Sequence, residues 1–189
     1  MKIGLFFGSF NPFHLGHKVI ASYFVEFTEL ERVMFVVSPQ NPFKEKASLL
    51  DQNHRLMIIR MEIEDNNKLK VSDIEFNMPQ PSYTIDTLTY LCEKHPENDY
   101  ALIMGSDNLK TFYKWKNYQS ILENHNIYVY PRPNYNVDLK HSHIHIIKDV
   151  PYMQISSSFI RRSIKERRNV SYLMPEKAWK YIDDMNFYK

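Results

Sequence analysis

The sequence has little of what would place it outside ordinary globular proteins. It contains one cysteine, Cys92, so no disulfide can form within the chain, which fits a reducing compartment. No stretch approaches the roughly 20 apolar residues that a membrane-spanning helix needs. The first apolar run is too short for a signal peptide. These absences predict a cytoplasmic protein with no membrane partner.

An excess of one charge is also missing. The 24 Lys and Arg nearly balance the 22 Asp and Glu, so the net charge of +2 gives no reason to expect a nucleic-acid partner. No internal repeat, low-complexity segment or linker rich in Gly and Ser interrupts the chain. The 189 residues therefore predict a single domain, 1–189.

Short apolar runs alternate along the chain with segments of helical spacing. The runs predict strands at 3–7, 33–37, 71–76, 100–104, 127–130 and 144–147, and the spacing predicts helices over 15–27, 56–63, 85–92, 158–167 and 175–184. This alternation predicts an α/β fold, a doubly wound, mostly parallel sheet with helices on both faces. Ligands of such sheets bind beyond the carboxyl ends of the strands, where strand order reverses. The informative loops therefore follow Phe7, Val37, Met104 and Tyr130.

The first of these loops, 8–17, reads G-S-F-N-P-F-H-L-G-H. Gly8 permits a tight turn and lets a ligand approach the backbone. His14 and His17 are three residues apart at a predicted helix start, so both rings can face one point. Unpaired N–H groups at that helix start attract anions. An isolated H-x-x-H pair is more often two surface histidines at a helix cap, so the whole segment matters.

A second segment, 155–161, reads I-S-S-S-F-I-R and opens a predicted helix. Its hydroxyl groups can cap the helix and also contact a phosphate, and the Arg161 guanidinium suits phosphate oxygens. Taken alone, the segment is better explained as a serine-capped helix with exposed arginines. The basic residues that follow lack interleaved aromatics, which favours a solvated face over a nucleic-acid site.

These segments resemble the motifs G-[ST]-F-[DN]-P-x-H-x-G-H and I-S-S-x-x-I-R of the nucleotidyltransferase α/β-phosphodiesterase superfamily. Between them, 81–84, 105–109, Trp115 and 132–133 follow in an order similar to that of the bacterial nicotinate-nucleotide adenylyltransferases. The resemblance runs from Ile3 to about Ile182. It implies a Rossmann-like nucleotidyltransferase fold and a role in NAD biosynthesis. The implied substrates are ATP, with Mg²⁺ on its phosphates, and nicotinate mononucleotide, and the implied products are deamido-NAD and pyrophosphate.

The resemblance also implies roles for individual residues. Catalytic roles fall to His14, His17, Lys44 and Arg161; ATP-binding roles to Gly8, Ser9, Phe10, His17, Arg132, Ile155, Ser156, Ser157 and Arg161; and mononucleotide-binding roles to Thr84, Asp107 and Trp115. The family pattern implies no protein ligand for a metal. In this scheme the imidazoles stabilise the reacting α-phosphate and the leaving pyrophosphate.

Several alternatives stay open at this point. Phosphopantetheine adenylyltransferases share both end motifs, and nicotinamide-preferring homologues often carry asparagine at the position of Asn11, where aspartate is frequent in this family. A nucleotide-binding protein without catalysis is a further alternative, and a homo-oligomer is neither required nor excluded. Thr84 or Asp107 could instead cap a helix, Lys44 could be a surface lysine, and Trp115 could belong to the core.

Two other features favour bland explanations. His141, His143 and His145 alternate, which on a strand would place them on one side, yet their polar surroundings favour a solvated face over a metal site. Cys92 lies on the apolar stripe of a predicted helix, which indicates packing rather than nucleophilic chemistry.

Overall fold

The computed structural model describes residues 1–39, 49–133, 135, 140–151 and 153–189. Within them the strands are β1 (Lys2–Gly8), β2 (Arg32–Val37), β3 (Leu69–Ser72), β4 (Asp99–Gly105), β5 (Ile127–Tyr130) and β6 (Ile144–Ile146). The helices are α1 (Leu15–Phe27), α2 (Gln52–Ile63), α3 (Thr84–Lys94), α4 (Ser106–Leu109), α5 (Tyr118–Asn124), α6 (Ser157–Lys165) and α7 (Glu176–Asp184). Short 3₁₀ turns lie at Ile74–Asn77, Phe112–Lys114 and Ser171–Leu173.

The strands form one sheet in the order β3-β2-β1-β4-β5-β6, and neighbouring strands pair in parallel. Strand order therefore reverses between β1 and β4, which is the switch point of a doubly wound sheet. In the register, Gly8 pairs with Val37 and Gly105 pairs with Tyr130. The carboxyl ends of four strands thus reach one edge, and the loops that follow them meet there.

Apolar side chains alternate between the two faces of the sheet. Phe6 and Phe35 pack with α1, α2, α6 and α7, whereas Leu5 and Val36 pack on the opposite face with α3, α4 and α5. Full burial of such a side chain stabilises the fold by about 1.5–3 kcal/mol. The prediction of helices on both faces is confirmed. In the part of the chain that the structure describes, no helix has both the length and the apolar character to cross a membrane.

The predicted strand over 71–76 is wrong in its second half. The strand ends at Ser72, whose hydroxyl oxygen accepts a hydrogen bond from the Ile74 N–H at 3.2 Å, and a 3₁₀ turn follows. Glu75 lies buried in that turn, where its carboxylate accepts hydrogen bonds from Ser82 and Thr87. The partners of this buried carboxylate lie 7 and 12 positions further along the chain, outside the segment whose apolar pattern predicted a strand.

Candidate active site

The loop between β1 and α1, here called the His14 turn (residues 9–14), lies at the switch point of the sheet. Phe10 has a φ of 45°, in the left-handed region that side chains seldom adopt. Its ring is 3% exposed and packs edge-on against Phe6, Phe13 and Phe35. Because a strained backbone persists only where its surroundings hold it, these aromatic contacts help to fix the turn.

His14 and His17 bring their rings together at the start of α1. The ring centroids are 3.7 Å apart with planes 20° from parallel. The His14 backbone N–H donates to His17 Nδ1 at 3.2 Å, so a neutral His17 ring carries its proton on Nε2. A Cβ at Gly16 would lie 3.1 Å from Nδ1 and Cε1 of His14, so a larger residue would crowd that ring. The predicted convergence of the two imidazoles is present.

His14 is 4% exposed, and burial lowers its pKa to about 3, with a smaller contribution from the positive charge of Arg132. The ring is therefore neutral near pH 7. Helix α1 begins at the next residue, Leu15, and the partial positive charge of a helix N-terminus attracts negative charge. This end of the helix can therefore receive an anion without first burying a cationic imidazole.

The second sequence motif lies directly against the His14 turn. Ser157 Oγ donates to the Pro12 carbonyl oxygen at 3.0 Å, and Arg161 Nη1 donates to the Asn11 carbonyl oxygen at 2.7 Å. Ser156 caps α6, accepting a hydrogen bond from the Phe159 N–H at 3.2 Å. The N-termini of α1 and α6 thus belong to one site, although their sequences are far apart.

Ile155 and Arg161 differ from the simplest sequence expectation. The Ile155 side chain is buried in the core, so its backbone is what the site can use. The Arg161 guanidinium is partly engaged by the turn and by Ser158, whose hydroxyl accepts from Nη2 at 3.4 Å. Arg161 therefore supports the turn as well as carrying positive charge at the site.

Asp107 and Arg132 meet beyond β4 and β5. Arg132 Nε lies 3.9 Å from Asp107 Oδ1, and the Arg132 N–H donates to Ser106 Oγ at 2.8 Å. A Cβ at Gly105 would approach Asp107 Oδ1 to 2.2 Å, so only glycine leaves room for this carboxylate. Asp107 lies in the first turn of α4, and Gly105 is the N-cap of that helix. The Asp107 side chain pairs with Arg132 and does not cap the helix.

The residues predicted for the mononucleotide lie on adjoining segments. Thr84 is the first residue of α3 and Tyr83 occupies the N-cap position, so the alternative of Thr84 as the cap is wrong. Lys116 Nζ lies 2.9 Å from Asp86 Oδ2 and 4.7 Å from the Tyr83 ring centroid. These contacts bring the Trp115 segment against the start of α3. Trp115 is partly buried, with its ring 5.4 Å from that of Phe112.

Arg55 escaped the sequence prediction. Its side chain is fully buried in α2 and donates to the carbonyl oxygens of Ser9 at 2.6 Å, Ser38 at 2.8 Å, Leu50 at 2.8 Å and Pro39 at 3.0 Å. It thereby joins the loop after β1 to the loop after β2. Burial lowers the Arg55 pKa to about 10, which leaves it charged at neutral pH. The available signal was an arginine on the apolar face of a helix.

Other sequence expectations have mixed outcomes. Lys44 lies outside the described residues. Among the residues that are described, no three His, Cys, Asp or Glu side chains are grouped to hold a metal. His143 Nδ1 lies 2.9 Å from the Leu122 carbonyl oxygen, and His145 Nε2 lies 2.9 Å from Asn126 Oδ1. Cys92, in α3, packs against the core, and burial raises its pKa.

The parallel sheet, with an anion-attracting turn at its switch point, has the form of an α/β nucleotidyltransferase. Residues 5–163 match the sequence model of the cytidylyltransferase-like family. A probable nicotinate-nucleotide adenylyltransferase of Flavobacterium johnsoniae is 55% identical, covering 100% of both chains, and one of Christiangramia forsetii is 54% identical, covering 100% of this chain and 98% of the relative. The chain belongs to the cytidylyltransferase-like family, and within it to the nicotinate-nucleotide adenylyltransferases.

A solved structure supports the same fold. The nicotinic acid mononucleotide adenylyltransferase of Plasmodium falciparum, solved in complex with NaAD, superposes with a TM-score of 0.83. The alignment covers 99% of this chain and 97% of the other at 18% identity, so it bears on the fold alone. The resemblance seen in the sequence and the predicted fold class are both confirmed.

Proposed function

We propose that the protein transfers the adenylyl group of ATP to nicotinate mononucleotide, giving deamido-NAD and pyrophosphate in NAD biosynthesis. The observation that carries the proposal is the meeting of the His14 turn with the start of α6, through Ser157 and Arg161. This meeting gathers two helix N-termini, two imidazoles and a guanidinium at the switch point of the sheet. The acceptor is supported by the family to which the chain belongs.

The chemistry is a direct displacement. A phosphate oxygen of the mononucleotide attacks the α-phosphorus of ATP; a new P–O bond forms as the bond to the bridging α,β-oxygen breaks, and pyrophosphate leaves with that electron pair. Such a transition state needs alignment and charge stabilisation more than covalent help from the protein. The Ser157 hydroxyl donates a hydrogen bond to the Pro12 carbonyl oxygen. This contact supports the turn and does not indicate a nucleophile.

Each predicted ATP-binding residue has a role that its position allows. His14 and His17 offer ring N–H groups to the α-phosphate and the leaving group, and Arg161 supplies positive charge. Backbone groups of Gly8, Ser9, Phe10 and Ile155 line the approach, and the hydroxyl groups of Ser156 and Ser157 lie at the start of α6. Arg132 follows β5 at the same edge of the sheet, and its positive charge contributes to the lowered pKa of His14. Lys44 remains a sequence prediction for phosphate neutralisation.

The mononucleotide is assigned to the side of the site after β4. Trp115, partly buried, offers a ring face on which a pyridine can stack. Thr84 opens α3, whose N-terminal N–H groups suit the nicotinate carboxylate. Asp107 can accept hydrogen bonds from a ribose while it stays paired with Arg132. If the groups that face the ring substituent are hydrogen-bond donors, the site favours the carboxylate of nicotinate. The N–H group of nicotinamide would instead face another donor and leave both unpaired, which is costly.

Mg²⁺ fits this site as an ion carried by the substrate. Asp107, the carboxylate brought to the site by α4, is already paired with Arg132, and the remaining predicted contacts are donors. Mg²⁺ commonly keeps several waters and binds phosphate oxygens, so triphosphate oxygens would hold it here. When bound, it neutralises part of the phosphate charge, and the residues named above position the nucleotide around it.

A pyrophosphate-release assay tests the proposal against its alternatives. Purified protein is given ATP and Mg²⁺ with nicotinate mononucleotide, nicotinamide mononucleotide or phosphopantetheine. We expect kcat/KM for nicotinate mononucleotide to exceed the other two by at least about tenfold, the scale of a missing or mismatched polar contact. Preference for phosphopantetheine, or no release with any acceptor, would refute the assignment.

A further inference from the structure

The His14 turn is held from outside in part by groups that the proposed reaction does not use. Phe10 has its strained φ of 45°, so the turn depends on external support. Asn11 is 4% exposed, and its Oδ1 accepts a hydrogen bond from the Leu50 N–H at 3.1 Å and another from the Tyr188 hydroxyl at 2.6 Å. The carbonyl oxygen of the same residue accepts from Arg161. Asn11 is therefore one residue of the turn that receives support from several other segments of the chain.

Tyr188 reaches Asn11 from a segment that folds back after α7. Asn186 and Tyr188 have φ values of 55° and 66°, and such values are unusual for an aromatic residue. Phe187, between them, packs against His54 of α2 with ring centroids 4.8 Å apart. Because local preference opposes this conformation, the contacts at its end must maintain it.

The electrostatic surroundings keep the Tyr188 hydroxyl as a donor. Burial raises its pKa above the usual value, although the positive charges of Arg161 and Arg55 act in the opposite direction. The phenol therefore retains its proton at neutral pH. An amide oxygen such as Asn11 Oδ1 is a suitable acceptor for it, and this contact spans 177 positions of sequence.

We propose that Tyr188 is a positioning residue for adenylyl transfer, whose hydroxyl fixes the Asn11 side chain and thereby the turn that carries His14 and His17. This inference rests on the proposed function. Tyr188 acts through Asn11 and not on the substrate. Its loss therefore lowers the rate of the aligned reaction more than it lowers the affinity for the acceptor.

The test compares Tyr188→Phe with the wild-type protein. This change removes one hydroxyl and keeps the ring in its packing. We expect kcat to fall about tenfold while KM for nicotinate mononucleotide stays within about twofold, the pattern of an interaction that matters in the transition state. Tyr181→Phe is the matched control, because its hydroxyl lies 2.9 Å from His54 Nδ1 in α2 and not against the turn. Equal losses of kcat in the two variants would overturn the proposal.

A double-mutant cycle isolates the Tyr188–Asn11 contact. Asn11→Leu removes the acceptor, so Tyr188→Phe should cause no further fall in kcat in that background. Asn11→Asp keeps an acceptor oxygen, so it should retain more activity than Asn11→Leu and should remain sensitive to Tyr188→Phe. Additive losses, or equal activity in the Asp and Leu variants, would contradict a role through Asn11.

A substrate-free measurement separates this proposal from the proposed function. Hydrogen exchange of the 8–17 segment should speed up in Tyr188→Phe and stay unchanged in Tyr181→Phe. If wild-type protein releases no pyrophosphate yet shows this difference, the proposed function fails and the link to the turn stands. Unchanged exchange in an active Tyr188→Phe variant would remove the positioning role alone.

Discussion

The imidazoles of His14 and His17 differ in their hydrogen bonds although they lie in one turn. The His17 Nδ1 is taken by the His14 backbone, which leaves Nε2 as the proton-bearing atom of the neutral ring. We predict that His17→Ala lowers kcat at least about a hundredfold, the scale of losing one preorganised charge stabiliser. Steady-state pyrophosphate release measures it. His95→Ala, at the end of α3, is the control and should retain wild-type turnover; near-normal rates in His17→Ala would remove the mechanism.

Burial of a neutral His14 predicts how stability depends on pH. The unfolded chain binds a proton at this position below about pH 6.5, whereas the folded chain does so only near pH 3. The folded state therefore loses stability relative to the unfolded state as pH falls between those values. Between pH 7.5 and 5 the loss from this group is about 2 kcal/mol. Urea unfolding at both pH values should show a larger drop for wild type than for His14→Gln. Identical drops would contradict a buried neutral ring.

Single residues were predictable where they belong to a motif of contiguous sequence. Gly8, His14, His17, Ser157 and Arg161 lie in two short segments that resemble family motifs, and that resemblance, more than their spacing, implied their roles in an anion site. Arg55 and Tyr188 were missed for a physical reason. Their hydrogen-bond partners Ser9 and Asn11 lie 46 and 177 positions away, and nothing in the neighbouring sequence signals such contacts.

Helix α2 is joined to the loops after β1 and β2 by the hydrogen bonds of Arg55. Arg55→Met would leave buried carbonyl oxygens of two loops without donors, at about 1–3 kcal/mol for each one unsatisfied. We predict a loss of at least about 3 kcal/mol in the free energy of unfolding and a smaller loss for Arg55→Lys. Urea denaturation measures both. Arg60→Met is the control on the same helix, since Arg60 is exposed and should change stability by less than about 0.5 kcal/mol. A similar loss in both Met variants would contradict the assignment.

Prediction from the sequence worked for helices that bury one face over several turns and for strands that are buried along most of their length. The apolar spacing of α1 and the continuous runs of β1, β2 and β4 correspond to helices and strands that differ from prediction by one or two residues at their ends. Helices α4 and α5 have 4 and 7 residues, too few for a helical period to emerge from the pattern. In the turn at 74–77, buried Glu75 accepts hydrogen bonds from Ser82 and Thr87, which the apolar pattern of that segment does not indicate.

For the whole molecule, the join between the His14 turn and α6 predicts stabilisation by nucleotide. A non-reacting ATP analogue at about 100 times its Kd should raise the free energy of unfolding by about 2.7 kcal/mol. Thermal unfolding with and without the analogue measures this gain. Arg161→Met should lose most of it at the same concentration, whereas Arg168→Met, an exposed change just beyond α6, should keep it. A full gain in both variants would place the nucleotide elsewhere.

The distance in sequence between Pro12 and Ser157, 145 positions, has a consequence for biosynthesis. A ribosome releases β1 early and α6 much later, so a partly translated chain contains only half of the proposed ATP site. Cellular nucleotide cannot assist the first stages of folding, because only a species that binds ligand gains from it. Stabilisation by nucleotide is expected only after α6 has left the exit tunnel and packed against the His14 turn.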